Sequence, residues 1–202
     1  MIQVGLTGGM ATGKSLVGQE LVRLGCHLLK ADELGHKLLE SGGACYDAVV
    51  GAFGRAILDA NENIERRRLA MVVFNEGGAL EKLNSIIHPA VFSYEAEWLR
   101  QVGEEEEGQA IAVVEAAILI ETGNYKNFDK LIVTWCPEDM MVERAMARGG
   151  WSREEARRRI AKQMPADEKK KYADYVIDTS DTLESTLEQT RAVYSALRSL
   201  TL

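Results

Sequence analysis

Gly8-Gly9-Met10-Ala11-Thr12-Gly13-Lys14-Ser15 fits the pattern GxxxxGK[ST] and stands directly behind the chain's first apolar stretch. Glycine is costly to order and adds nothing to a core, so Gly5, Gly8, Gly9 and Gly13 imply a backbone shape that larger side chains would forbid. Small residues let a loop wrap a phosphate with its N–H groups turned inward. The helix expected next adds partial positive charge at its N-terminus. A lysine at position 14 can reach β- and γ-phosphates, and a serine hydroxyl at position 15 can ligate Mg²⁺. The chemistry implied is the holding of a nucleoside triphosphate.

What receives the terminal phosphoryl group is a separate question. Asp32-Glu33-Leu34-Gly35 matches DxxG, but it follows the second strand, where a GTPase needs it after the third, and no NKxD follows. Glu115, behind the apolar run Ala110–Val114, could serve a motor-type ATPase, yet the chain offers no obvious machinery for remote coupling. A small-molecule kinase fits better. It needs a base or orienting group at the acceptor hydroxyl, cations for the transferring phosphoryl group, and a lid against water. Asp32, at the carboxyl end of the second strand, is placed to accept a hydroxyl proton or touch the metal shell; the same position suits a helix N-cap. Arg144 and Arg148 are four apart on an expected helix and share a face, as do Arg153 and Arg157, with Arg159 following. Guanidinium forks suit phosphate oxygens, although pairing of Glu154 with Arg158 and Glu155 with Arg159 would instead make this a solvated helix.

The 202 residues carry a net charge of −7, which argues against broad nucleic-acid binding. The segment from Glu138 to Tyr172 runs the other way, with ten Lys or Arg against seven Asp or Glu, as suits a small anionic ligand. Cys26, Cys45 and Cys136 form no CxxC pair and read as reduced, buried thiols. The N-terminus lacks the pattern of a signal peptide, and no apolar run reaches about 18 residues, so a cytoplasmic protein with no membrane partner is expected.

Short strands are expected at Ile2–Leu6, Cys26–Leu29, Ala110–Val114, Leu131–Trp135 and Tyr175–Ile177. Helices are expected at Ser15–Leu24, from Asp32 to about Glu40, and at Tyr46–Phe53, Arg66–Phe74 and Gly78–Arg100. Pro137 stands where another helix would begin, and Ser152 with Glu155 matches a capping box. The last helix is expected from Asp181, with Leu183, Leu187, Val193, Leu197 and Leu200 on its apolar face. Gly103–Gly108 reads as a solvated loop. Strands alternating with helices imply an α/β fold with a parallel sheet covered on both faces.

Over nearly its whole length the sequence resembles the bacterial dephospho-CoA kinase family. The resemblance is carried by VGLTGGMATGKS, by KADELGHKLL, by FGRAIL, IERRRLAMVVF and LNSIIHPAV, by CPEDMMVERAMARGGWSREEARRRIAKQMP, and by ADYVIDTS, in that order. It implies a three-layer P-loop kinase fold with a five-stranded parallel sheet. The core would span about 1–31, 109–137 and 173–202, the helical CoA-substrate region about 32–108 and the lid about 138–172, within a single domain over 1–202. It also implies phosphorylation of the ribose 3′-hydroxyl of dephospho-CoA with ATP and Mg²⁺. Gly9, Ala11, Thr12, Gly13, Lys14, Ser15, Leu16 and Arg148 would bind nucleotide, with Ser15 the metal ligand. Asp32, Lys14 and Arg144 would be catalytic; Asp32, His88 and Glu115 would meet the substrate, although a local structural role for His88 fits equally well. Arg159 and Gln163 fall in the lid pattern. A monomer or weak homo-oligomer is expected.

Three departures from the family's usual pattern stand out. Glu115-Ala116-Ala117-Ile118-Leu119-Ile120-Glu121 replaces an Asp followed by Pro-Leu-Leu-Phe-Glu, adding a methylene and losing a proline that would stiffen the backbone. Thr179-Ser180-Asp181 replaces Asn-Ser-Gly near the base, and Thr12 replaces a frequent serine. A kinase for another nucleoside or nucleotide, or a catalytically weak ATP-binding module that regulates a partner, are the alternative readings.

Overall fold

The computed structural model describes residues 1–201, apart from the side chain of Phe74. The chain runs β1 (Ile2–Gly8), α1 (Lys14–Arg23), β2 (His27–Lys30), α2 (Ala31–Lys37), α3 (Tyr46–Phe53), α4 (Arg66–Asn75), α5 (Ala79–Glu105), β3 (Ile111–Glu115), β4 (Lys130–Trp135), α6 (Glu138–Gly149), α7 (Arg153–Ile160), α8 (Ala166–Lys170), β5 (Tyr175–Asp178) and α9 (Leu183–Arg198). It divides into two compact units, one formed by Met1–Lys30 with the chain from Leu99 onward, the other by Ala31–Trp98.

The first unit holds a five-stranded sheet in the order β2-β3-β1-β4-β5, and every neighbouring pair is parallel. The chain leaves central β1 toward one edge and later crosses to the other. The carboxyl end of β1 therefore opens at a point where strand order reverses, the place where ligands bind in open parallel sheets. β3 is buried at all five positions, as a central parallel strand covered on both faces must be. On one face Val4, Leu6, Ile111, Val113, Ile132 and Ile177 pack against Val17 and Leu21 of α1 and Val193 and Leu197 of α9. Burying each such side chain contributes about 1.5–3 kcal/mol relative to exposure.

The second unit is helical around its own core. Val49 of α3, Ile57 and Leu58 of the following turn, and Leu69 and Val73 of α4 close on one another.

All five expected strands form, with ends shifted by a residue or two. Three expectations are corrected. α5 continues to Glu105, into the acidic run expected as a loop; buried Leu99 and Val102 and an Arg100–Glu104 pair one turn apart carry the helix onward. The buried stripe of α9 runs through Thr186, Thr190, Val193 and Leu197, whereas Leu183 and Leu200 are exposed. Threonine serves there because Thr186 and Thr190 donate their hydroxyls to the carbonyls of Thr182 and Thr186 one turn back, which hides the polar group. Asp32 lies inside the first turn of α2 and does not precede it, so it is not the N-cap. The Ser152 hydroxyl does accept from the Glu155 N–H as a capping box requires, while the Glu155 carboxylate pairs with Arg158 and Arg159.

α1 and α9 are also joined by charge. Buried Glu20 accepts from Arg23 at 2.7 Å and from Arg191 at 3.1 Å. The Arg23 guanidinium holds the Glu20 carboxyl down at about 2, desolvation opposes it, and Arg191 adds to the depression. A carboxyl with a folded pKa below its unfolded value stabilises the fold above the unfolded pKa and loses that contribution as pH falls through the folded one. Glu20→Gln is therefore expected to lower the melting temperature at pH 7, with the gap to the wild type narrowing from about pH 4.5 downward toward 2. Thermal melts followed by circular dichroism across that range check it; a gap that stays constant contradicts the assignment.

Candidate active site

The loop from Gly8 to Lys14 joins central β1 to α1 and is held from beneath. Thr12, fully buried, donates its hydroxyl to the Gly9 carbonyl at 2.8 Å and lies 2.8 Å from the Thr134 hydroxyl of β4. Gly8 is indispensable to that contact, because a Cβ there would stand 2.2 Å from Thr134 Oγ1 and 2.6 Å from its carbonyl. Gly13 has φ +88°, and even Ala11 is left-handed at φ +60°, a strained conformation for a residue with a side chain. As the N-cap of α1, Gly13 has no side chain to cap the helix, and no acid stands in the first turn. The first-turn amides thus present an anion-binding end.

Several groups around the loop are engaged with the protein itself. Lys14 Nζ donates to the Gly8 carbonyl at 2.9 Å and the Gly9 carbonyl at 3.2 Å. The Met10 N–H donates to Gln163 Oε1 at 2.8 Å, so a residue of the expected lid touches the loop. Ser15 Oγ donates to Glu115 Oε1 at 3.3 Å, across from the first turn of α1 to the end of β3. Glu115 is buried, and Gly18 makes room for it, since a Cβ there would sit 3.0 Å from Glu115 Oε2.

Arg144 of α6 is fixed by two hydrogen bonds to one residue, Nη1 to Thr179 Oγ1 at 3.0 Å and Nη2 to the Thr179 carbonyl at 2.6 Å. Thr179 in turn donates to the Thr12 carbonyl at 3.0 Å. Arg144 is thus linked to the phosphate loop through a single threonine. A cleft of about 330 Å³ opens beside this chain, lined by Ala11, Gly13, Leu16, Arg144, Thr179 and Leu183 among others. Arg148 is exposed on the last turn of α6. The remaining arginines pair with acids: Arg153 with Glu143 at 3.9 Å, Arg157 with Asp139 at 3.4 Å and Arg159 with Glu155 at 2.9 Å. Arg159 also lies 4.3 Å over the Trp151 ring.

The structure thus brings Gly9, Ala11, Thr12, Gly13, Lys14, Ser15, Leu16, Glu115 and Arg144 together within the first unit. Asp32 and His88 belong to the second unit. Asp32 is exposed in α2. His88 is half-buried in α5, its ring 5.7 Å from that of Phe92, and burial pushes its pKa down. His36, one turn beyond Asp32, is also pushed down, by desolvation first and then by the charge of Arg66. Sequence reasoning missed Thr134 and Gly18. An isolated glycine in a helical stretch was a usable signal for Gly18; Thr134 gave none.

A parallel sheet in this order, with a lysine-bearing phosphate loop at the end of its central strand, defines a P-loop kinase. The family profile described as dephospho-CoA kinase matches residues 2–185, and the chain belongs to that family. A dephospho-CoA kinase from Aquifex aeolicus is 43% identical over 197 residues, covering 98% of either chain. A crystal structure from Thermus thermophilus superposes with a TM-score of 0.83 at 30% identity, covering 97% of each chain. A dephospho-CoA kinase from Campylobacter jejuni superposes at 0.71 with 26% identity, covering 99% of this chain and 98% of that one.

Gly8→Ala is expected to push the loop off β4 and weaken ATP binding at least about tenfold, a cost of about 1.4 kcal/mol or more. Calorimetric titration with ATP checks it; wild-type affinity would mean that the Gly8–Thr134 contact does not shape the loop.

Proposed function

We propose that this chain transfers the γ-phosphoryl group of ATP to the ribose 3′-hydroxyl of dephospho-CoA, giving CoA and ADP. The observation that carries the reading is the phosphate loop with Lys14 and Ser15, set in a chain that matches the family over residues 2–185.

In this reading the loop amides and the N-terminus of α1 take the phosphates of ATP. Lys14 exchanges the Gly8 and Gly9 carbonyls for β- and γ-phosphate oxygens. The Ser15 hydroxyl and the Glu115 carboxylate are hard oxygen donors 3.3 Å apart, a set that suits Mg²⁺. When bound, such an ion would offset the negative charge of the phosphates. The cleft beside Arg144 and Thr179 is the natural place for the base of the nucleotide. Asp32 accepts the proton of the 3′-hydroxyl as its oxygen bonds to the γ-phosphorus and the bond to the β–γ bridging oxygen breaks. Arg144 and Arg148 offset charge on the transferring group, and His88 contacts the substrate. Such a transfer depends on positioning and electrostatics more than on covalent work by the protein.

The segment 138–172 acts as the lid and 32–108 as the substrate region of a single functional domain. Exchange of the lid's Arg–acid pairs for phosphate contacts would couple closure to nucleotide binding. Among the described residues no helix is long and apolar enough to cross a membrane. A cytoplasmic monomer or weak homo-oligomer fits this reading.

Asp32→Asn is expected to keep ATP affinity while kcat for dephospho-CoA falls at least about 100-fold, the scale of a lost general base. Lys14→Ala is expected to lose both nucleotide affinity and transfer. Coupled ADP release, with mass detection of CoA, reads both variants. Normal transfer by Asp32→Asn would remove Asp32 from the chemistry, and normal transfer by Lys14→Ala would sink the whole reading.

A further inference from the structure

Lys169 of α8 has no exposed surface at all. Burying an ammonium costs several kcal/mol unless close partners repay it. Its Nζ donates to the Ala117 carbonyl at 2.7 Å and reaches both carboxylate oxygens of Glu121, at 2.8 and 3.1 Å. The Ala117 carbonyl also accepts from Thr7 Oγ1 of β1 at 3.3 Å. Glu121 Oε1 in addition accepts from the Met164 N–H at 3.0 Å, next to the Gln163 that holds the Met10 N–H. These contacts bind the chain leaving β3 at two points, two and six residues past Glu115, and leave it little freedom. Ala117 has no ring to restrict its own backbone, so the restriction is supplied from outside.

We infer that Lys169 is a positioning residue: by fixing residues 116–121 it aims the Glu115 carboxylate at Ser15 and the phosphate loop. The inference rests on the reading of Ser15 and Glu115 as the phosphate and metal end of the site. A purely stabilising ion pair would behave differently, because apolar residues of similar volume can replace a buried pair with little loss of stability.

The test compares full-length wild type, Lys169→Met, the double variant Lys169→Met/Glu121→Leu, and Ser15→Ala. Two readouts are taken: amide hydrogen exchange of residues 116–122 without nucleotide, and kcat with KM for dephospho-CoA. For Lys169→Met the expected result is exchange at least tenfold faster in that segment, unchanged exchange in β1 and β4, kcat at least tenfold lower, and KM within threefold. The double variant is expected to recover melting temperature and to recover neither kcat nor protection. Turnover within twofold of wild type, or unchanged protection, in either folded variant overturns the inference. If neither variant folds, Glu121→Gln replaces them; it is expected to show the same two losses at smaller amplitude, and their absence overturns the inference equally. Wild-type turnover by Ser15→Ala would instead break the underlying reading of the site, whereas loss of turnover in Ser15→Ala with none in Lys169→Met rejects the role of Lys169 alone.

Discussion

A phosphate loop must be rigid without being filled, and the rest of this structure depends on that constraint. Backbone amides can cradle an anion only if any protein group bonded to them, such as Gln163 on the Met10 N–H, can give way, so the loop is fixed through other contacts. The pairing of Gly8 with Thr134 in the sheet, with no room for a side chain at Gly8, and the paired hydroxyls of Thr12 and Thr134 lock it to β4. The chain of hydrogen bonds from Thr12 through Thr179 to Arg144 locks it to the end of β5 and to α6. The sheet order follows the same need, since β1 must be central to have β3 and β4 as neighbours on which the loop and Glu115 are built.

Electrostatics then prepare the site for an anion. The chain is acidic overall, yet its basic residues concentrate between α6 and α8. There Arg153, Arg157, Arg158 and Arg159 are held in internal pairs with acids, which give modest energy at an exposed surface, about 0–1 kcal/mol each. In the proposed reading, Arg153, Arg157 and Arg159 would exchange carboxylates for phosphate oxygens at low cost. Lys14 on its loop carbonyls and Gln163 on the Met10 amide are in the same condition. Lys169 differs, since it is buried and its partners cannot be exchanged without exposing a charge in the core.

Much of this was legible in the sequence because it rests on local pattern. GxxxxGK[ST] requires a strand before it and a helix after it, and β1 and α1 stand there. The capping serine of α7 and the apolar strands were readable for the same reason. What was not legible depends on packing. The extension of α5 into an acidic run is carried mainly by the burial of Leu99 and Val102, which the run of glutamates does not disclose. The α9 stripe was misread because threonines at 186 and 190 hide their hydroxyls against their own helix. The departure at Glu115 looked like a lengthened reach; the structure accommodates it with Gly18, seen only once α1 and β3 are side by side. Loss of a proline at position 117 is likewise met by Lys169, some fifty residues away in the chain.

The most direct test of the account is a mass-resolved product analysis with ATP, in the presence and absence of dephospho-CoA. The account predicts one molecule of CoA, phosphorylated at the ribose 3′ position, for each ADP released, and negligible ADP release when the acceptor is omitted. ATP binding accompanied by acceptor-independent ADP release, or by no phosphorylated product at all, would contradict it.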